Sequence, residues 1–137
     1  MTPFGQEAAF RLEVEVLAPQ ALDPVSMGPV RVVSITGGRV LGRLEGTILP
    51  GGTDWQTVEA DGSVGIEARY LLELTDGARI ELQSRGRRGA GAGAFWSSIW
   101  LRSADPVHAW VNAAQFIGLG RKLDGHVAID AFALPES

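Results

Sequence analysis

The chain has 137 residues, a net charge of −4 and no cysteine; it fits one domain with its own core, and disulfides and thiolate metal sites are excluded. Apolar residues make up 45 % and charged ones 20 %, a globular balance whose acidity argues against a nucleic-acid partner. No stretch approaches the roughly 20 apolar residues of a membrane span, and the Met1-Thr2-Pro3-Phe4 start lacks a signal peptide's basic and apolar regions, so a soluble, cytoplasmic protein without a membrane partner is expected.

Residues 1–9 read as a loose leading segment of a single domain. From there alternation dominates. Leu12, Val14 and Val16 alternate with Arg11, Glu13 and Glu15, which predicts a half-buried strand over 11–17. Further strands are predicted over 30–36 and 39–48, on either side of Gly37-Gly38, and over 54–59 after the Pro50-Gly51-Gly52 break. Over 63–74, Val64, Ile66, Ala68, Tyr70, Leu72 and Leu74 share one strand face; Gly65, Glu67, Arg69, Leu71 and Glu73 share the other. Arg69 and Tyr70 therefore point oppositely, and a regular strand cannot bring both into one cavity.

Asp76-Gly77 leads into a strand over 78–85, where Ile80, Leu82 and Ser84 oppose Arg79, Glu81, Gln83 and Arg85. Asp61-Gly62 and Asp124-Gly125 are further turns of the same type, since Asp-Gly readily supplies the positive φ of tight hairpins. Residues 89–94 alternate Gly and Ala; they match a dinucleotide fingerprint in spacing, but lead into an aromatic strand rather than a helix and read as a loop. That strand, 95–102, puts Phe95, Ile99 and Leu101 on one face and Trp96 and Trp100 on the other. Apolar bulk on both faces suits a core, an aromatic-lined cavity or a dimer interface. Asp105-Pro106 starts a short helix over 105–114, with Val107, Trp110, Val111 and Ala114 on one face and His108 and Asn112 on another. Strands over 115–121 and 126–134 complete the chain.

So many strands joined mostly by short connections form an antiparallel meander, and closing it removes exposed edges. Gly42, Gly46, Gly65 and Gly118 lie inside strands, where they permit the bends of a barrel wall. The predicted fold is all-β, a closed antiparallel barrel around an apolar cavity, with the helix at the barrel rim.

The order of motifs carries a family resemblance. Gly37-Gly38, Gly42 and Gly46 lead into Leu49-Pro50-Gly51-Gly52-Thr53-Asp54-Trp55. Ala68-Arg69-Tyr70, Asp76-Gly77, Arg85-Gly86, Ala109-Trp110-Val111-Asn112 and Gly118-Leu119-Gly120-Arg121 follow. From about residue 10 to residue 134 the chain resembles the domain of unknown function 3237 family. The resemblance implies a closed antiparallel barrel, similar in outline to lipocalin and allene-oxide-cyclase-like barrels, and brings no agreed activity. The chain departs from the family pattern at Ser84, at Trp96 to Trp100 and at His108, where a ligand would be met.

Three residues suit catalysis. A carboxylate at Asp54 facing a dry cavity has a raised pKa and can act as general acid or base; it can equally accept hydrogen bonds from the Gly51-Gly52 turn. Arg69 can bind a carboxylate or polarise a carbonyl, or pair at the surface with Glu67 or Glu81. His108 is of a residue type suited to proton transfer at a cavity mouth, or lies exposed on its helix. Trp55, Tyr70, Ser84, Trp96, Trp100, Trp110 and Asn112 are the candidate substrate-binding residues. His126 adjoins a turn and reads as solvated. Arg85, Arg87 and Arg88 lack the overall basicity of an RNA site. Two histidines without ligand spacing predict no metal, and no cofactor is expected.

The favoured expectation is a cofactor-independent enzyme performing isomerase, cyclase or lyase-type proton transfer on a small apolar compound bearing a carbonyl or carboxylate, as a homodimer. The alternatives are a non-catalytic barrel for a hydrophobic ligand and a structural, oligomer-forming subunit.

Overall fold

The computed structural model describes residues 5–21 and 29–134. Within them the alternating stretches form ten strands: β1 (Phe10–Val16), β2 (Gln20–Ala21), β3 (Val30–Gly42), β4 (Gly46–Ile48), β5 (Thr53–Val58), β6 (Val64–Leu74), β7 (Arg79–Arg88), β8 (Ala94–Ser103), β9 (Gln115–Leu123) and β10 (His126–Leu134). β6 to β10 are a meander, each strand antiparallel to the next. β1 pairs with both β10 and β3 and so closes the ladder. β4 and β5 share one position between β3 and β6, and β2 continues the position of β1. The result is the expected closed antiparallel barrel, with eight positions around its circumference.

Closure gives every strand one inward face. Leu12, Val40, Leu72, Ile80, Leu82, Ile99 and Phe116 are fully buried there. The outward alternates carry ion pairs such as Arg39 with Glu13 at 2.6 Å and Arg79 with Glu73 at 2.9 Å. Exposed pairs of this kind add little stability, so the wall is held mainly by its ladder and its inward apolar contacts.

Two local expectations differ from the structure. The predicted break at Gly37-Gly38 is instead a bend inside one 13-residue strand, β3. Its first half pairs with β5 and its second half with β1 and β4. Gly38 has φ +139°, and a Cβ there would stand 2.0 Å from the Glu13 carbonyl oxygen. The glycine therefore serves close approach of β1 to β3 rather than chain reversal. The interruption falls after Gly42 instead.

The predicted helix is shorter than 105–114. Asp105 caps as expected, accepting from the Val107 N–H at 2.9 Å, but the chain makes one 3-10 turn (Pro106–His108) and then a four-residue helix, α1 (Trp110–Ala113). Val107 is 74 % exposed rather than on the buried face; Val111 is fully buried. α1 lies over one barrel end, where Trp110 meets Phe116 edge-on at 5.9 Å and Phe116 meets Phe10 at 5.2 Å. The Arg43 guanidinium covers Trp110 at 4.1 Å. Of the leading segment, residues 1–4 lie outside the described residues; Gln6 and Ala9 bond the carbonyls of Ala133 and Ala131.

Gly38 and Gly77 separate the cost of positive φ from that of the closing seam. Gly77 has φ +88°, and a methyl group there would stand in open space, so Gly77→Ala should cost about 1–2 kcal/mol in urea unfolding. Gly38→Ala adds a backbone clash and should cost about 3 kcal/mol or more. Equal costs would contradict a seam that depends on close approach.

Candidate functional site

The two barrel ends differ in filling. At the α1 end Phe10, Leu44, Leu74, Leu101, Val111 and Phe116 pack the interior. At the other end the inward side chains are smaller, and an apolar hollow opens between half-buried Val16, Ile66, Phe95 and Val127. Val14, Ile35, Ala68 and Ile129 line it further in, and it leaves about 40 Å³ for water-sized occupants. That is room for two or three waters, so only the head of an organic molecule fits without side-chain movement.

Three polar residues reach this hollow: Asp54 from β5, Tyr70 from β6 and Ser84 from β7. Register places them together. Asp54 opposes Ala68, Ala68 opposes Ser84, and Tyr70 lies two residues along the same face of β6. Asp54 Oδ2 accepts from the Gln56 side-chain amide at 3.2 Å, while Oδ1 is buried without a partner. The Tyr70 hydroxyl is also buried without a partner. Loss of solvent pushes the Asp54 carboxyl up to about 6; the Gln56 hydrogen bond and the Arg31 charge act in the opposite direction. Burial, reinforced by the Asp54 charge, raises the Tyr70 phenol well above its ordinary value and keeps it a neutral donor.

A hydrogen-bond donor and a carboxyl poised near neutrality thus border one apolar space. This pair can move a proton and hold a developing oxyanion. Among the described residues, no group of three or more histidine and carboxylate side chains is placed to hold a metal ion.

The other sequence candidates lie elsewhere. The Arg69–Tyr70 alternative resolves with Tyr70 inward and Arg69 on the outer wall, paired with Glu81 at 2.5 Å. Trp55, Trp96 and Trp100 are also on the outer wall, 46 %, 47 % and 49 % exposed. Their strands present inward-facing alternates to the hollow instead. His108, Trp110 and Asn112 sit at the filled end, away from the mouth. His108 Nε2 meets Asp76 at 2.7 Å, tying the β6–β7 turn to the 3-10 turn. Asn112 accepts from the Ser103 N–H and donates to the Ser103 carbonyl, both at 2.8 Å. These contacts pin α1 to the end of β8.

Arg31 and Gln56 are not among the sequence candidates, and Phe95 enters there only as part of an apolar strand face. The Phe95 ring lies over Gly120, whose absent side chain leaves the ring its place at the mouth. Gln56 could have been found as the residue two beyond Asp54, on the same face; Arg31 needs the β3–β5 register. Buried Ser97 also has an unpartnered hydroxyl, inward between Gly86 and Gly118.

The raised Asp54 carboxyl has a thermodynamic consequence. The native state binds this proton more tightly than the unfolded chain, so the contribution to stability is fully present below about pH 4 and is lost as pH rises through about 6. In urea unfolding, Asp54→Asn should gain on the parent protein by about 1–3 kcal/mol between pH 4 and pH 7.5. A stability difference independent of pH would contradict a dry carboxyl.

The DUF3237 family, described as a protein of unknown function, matches residues 5–134. A UPF0311 protein from Rhodopseudomonas palustris is 34 % identical over 123 residues, covering 77 % of this chain and 80 % of the relative. The matches to UPF0311 proteins of Bradyrhizobium diazoefficiens and Clostridium acetobutylicum span only 41 % and 40 % of those proteins' lengths. A β-barrel-like protein from Acinetobacter baumannii superposes with a TM-score of 0.81 at 29 % identity, covering 97 % of each chain. An enzyme from Penicillium herquei shares the fold, with a TM-score of 0.64 at 18 % identity over 96 % of this chain and 99 % of that one. The chain belongs to the DUF3237 family of proteins of unknown function.

Proposed function

We propose that the protein is a cofactor-independent acid–base enzyme that moves a proton next to the carbonyl of a small, largely apolar compound. One observation carries this reading: Asp54 and Tyr70, each with a buried side-chain oxygen that has no partner, line the same apolar hollow. Leaving two such groups unsatisfied costs stability, and a substrate carbonyl with an acidic neighbouring C–H supplies a partner for each. The same fold serves an enzyme in Penicillium herquei, which is compatible with catalysis here.

The chemistry follows from the protonation states. Above about pH 6 Asp54 is ionised and takes the proton from the carbon beside the carbonyl. Charge then develops on the carbonyl oxygen, which accepts a hydrogen bond from neutral Tyr70. Where that carbon also adjoins a double bond, Asp54, now protonated, returns the proton to the far, conjugated carbon, completing an isomerisation. The hollow receives the carbonyl head; the apolar body lies at the mouth against Val16, Ile66, Phe95 and Val127. Exclusion of water makes the Tyr70 hydrogen bond stronger in the transition state than it would be in solution.

Cyclohex-3-enone is a suitable probe, because its conversion to the conjugated enone is followed by ultraviolet absorbance. The parent protein should accelerate it above the buffer rate, with a rate rising through a midpoint near pH 6. Asp54→Asn should lower the rate about 10²–10⁴-fold, and Tyr70→Phe about 10–10³-fold. No acceleration by the parent protein, or rates unchanged in both variants, would contradict the assignment.

A further inference from the structure

Asp54 is not held alone. Arg31 in β3 and Gln56 in β5 oppose each other in the antiparallel register. The Arg31 Nε donates to the Gln56 side-chain oxygen at 2.7 Å, and the Gln56 side-chain nitrogen donates to Asp54 Oδ2 at 3.2 Å. A guanidinium can only donate, so the amide atom facing it must be the oxygen. This leaves the NH2 group for the carboxylate. Were the amide reversed, its oxygen would face Asp54 and its nitrogen would face a cation, and both contacts would be repulsive. Arg31 therefore decides a choice that Gln56 alone leaves open.

We propose that Arg31 and Gln56 are positioning residues that orient the Asp54 carboxylate, tying Oδ2 to the wall and leaving Oδ1 to face the hollow. The inference deepens the acid–base reading above and rests on it for its purpose, but the relay is testable without turnover. A carboxylate free to rotate would present either oxygen, or turn its charge toward the mouth and water. One anchored through a single oxygen keeps a fixed line of approach to a bound C–H, which is what proton transfer requires. The relay also supplies hydrogen bonding and positive charge that oppose desolvation, holding the carboxyl near neutrality rather than far above it.

The surroundings leave few competing influences. Tyr70 reaches the hollow from β6 and is neutral; Ser84 reaches it from β7 and carries no charge. The side chains lining it from β1, β8 and β10 are all apolar. Among the described residues Arg31 is the charge identified as acting on Asp54. Arg69, though close in sequence to Tyr70, is on the outer wall with Glu81.

The test is a carbon-13 NMR titration of the Asp54 side-chain carboxyl in folded protein. The parent midpoint should fall near 6. Gln56→Met keeps the volume, removes the donor and should raise the midpoint by about one unit. Arg31→Met should raise it too, by losing both the charge and the amide orientation. Arg31→Lys keeps a donor-only cation and should restore most of the parent value, while Arg69→Met on the outer wall should leave it unchanged. If Gln56→Met and Arg31→Met are both folded and leave the midpoint where it was, the relay is overturned. Should either fail to fold, the other decides. If Asp54→Asn leaves enone isomerisation unaffected while these midpoints move as stated, the catalytic reading fails and the relay stands.

Discussion

The double pairing of β1, with β10 on one side and β3 on the other, turns a meander into a tube and separates inside from outside. Once the ladder is closed, strand alternation assigns every side chain to one of two environments. The site follows from that assignment. Asp54, Tyr70 and Ser84 belong to three adjacent strand positions whose inward faces meet, and closure removes them from bulk water. Their environment, not their identity alone, gives the carboxyl its raised pKa and leaves the phenol a neutral donor.

Filling is uneven along the barrel axis. The α1 end is packed with aromatic and branched side chains and sealed by Trp110, with Arg43 across its ring. At the mouth, Ala68 and the missing side chain of Gly120 leave space, and Phe95 leans into the latter. A solid end that resists deformation and an open end of smaller residues is a division suited to binding: the ladder supplies rigidity while the mouth supplies access. His108 and Asn112 take part in this division on the structural side. Each holds the end cap through hydrogen bonds to Asp76 or Ser103.

Most of the fold is legible in the sequence because alternation and Asp-Gly turns are local signals. The strand over 126–134 and the register-setting turns at Asp76-Gly77 and Asp124-Gly125 need only neighbouring residues to be read. The single β3 reads as two strands because Gly37-Gly38 looks like a turn until β1 is known to pass against it. Asp54 is legible as a carboxylate following a glycine turn, and the opposite orientation of Arg69 and Tyr70 follows from strand periodicity. Which of the two faces inward depends on closure. Trp55, Trp96 and Trp100 mislead for a related reason: large aromatic side chains suggest a cavity lining, yet their alternation places them on the outer wall beside Arg87, Glu67 and Gln83. Arg31 acts on Asp54 across strands far apart in sequence, and no local pattern announces such a pair.

The proposed reaction requires the Tyr70 hydroxyl and Asp54 Oδ1 to receive a carbonyl-bearing ligand together inside the barrel mouth. A crystal structure of the protein soaked with cyclohexanone, a ketone that cannot undergo the double-bond shift, tests it most directly. The ketone oxygen should lie within about 3 Å of the Tyr70 hydroxyl, with an adjacent carbon toward Asp54 Oδ1. A ring seated instead on the outer wall against Trp96 and Trp100, or in the mouth with its oxygen turned to solvent, would contradict it.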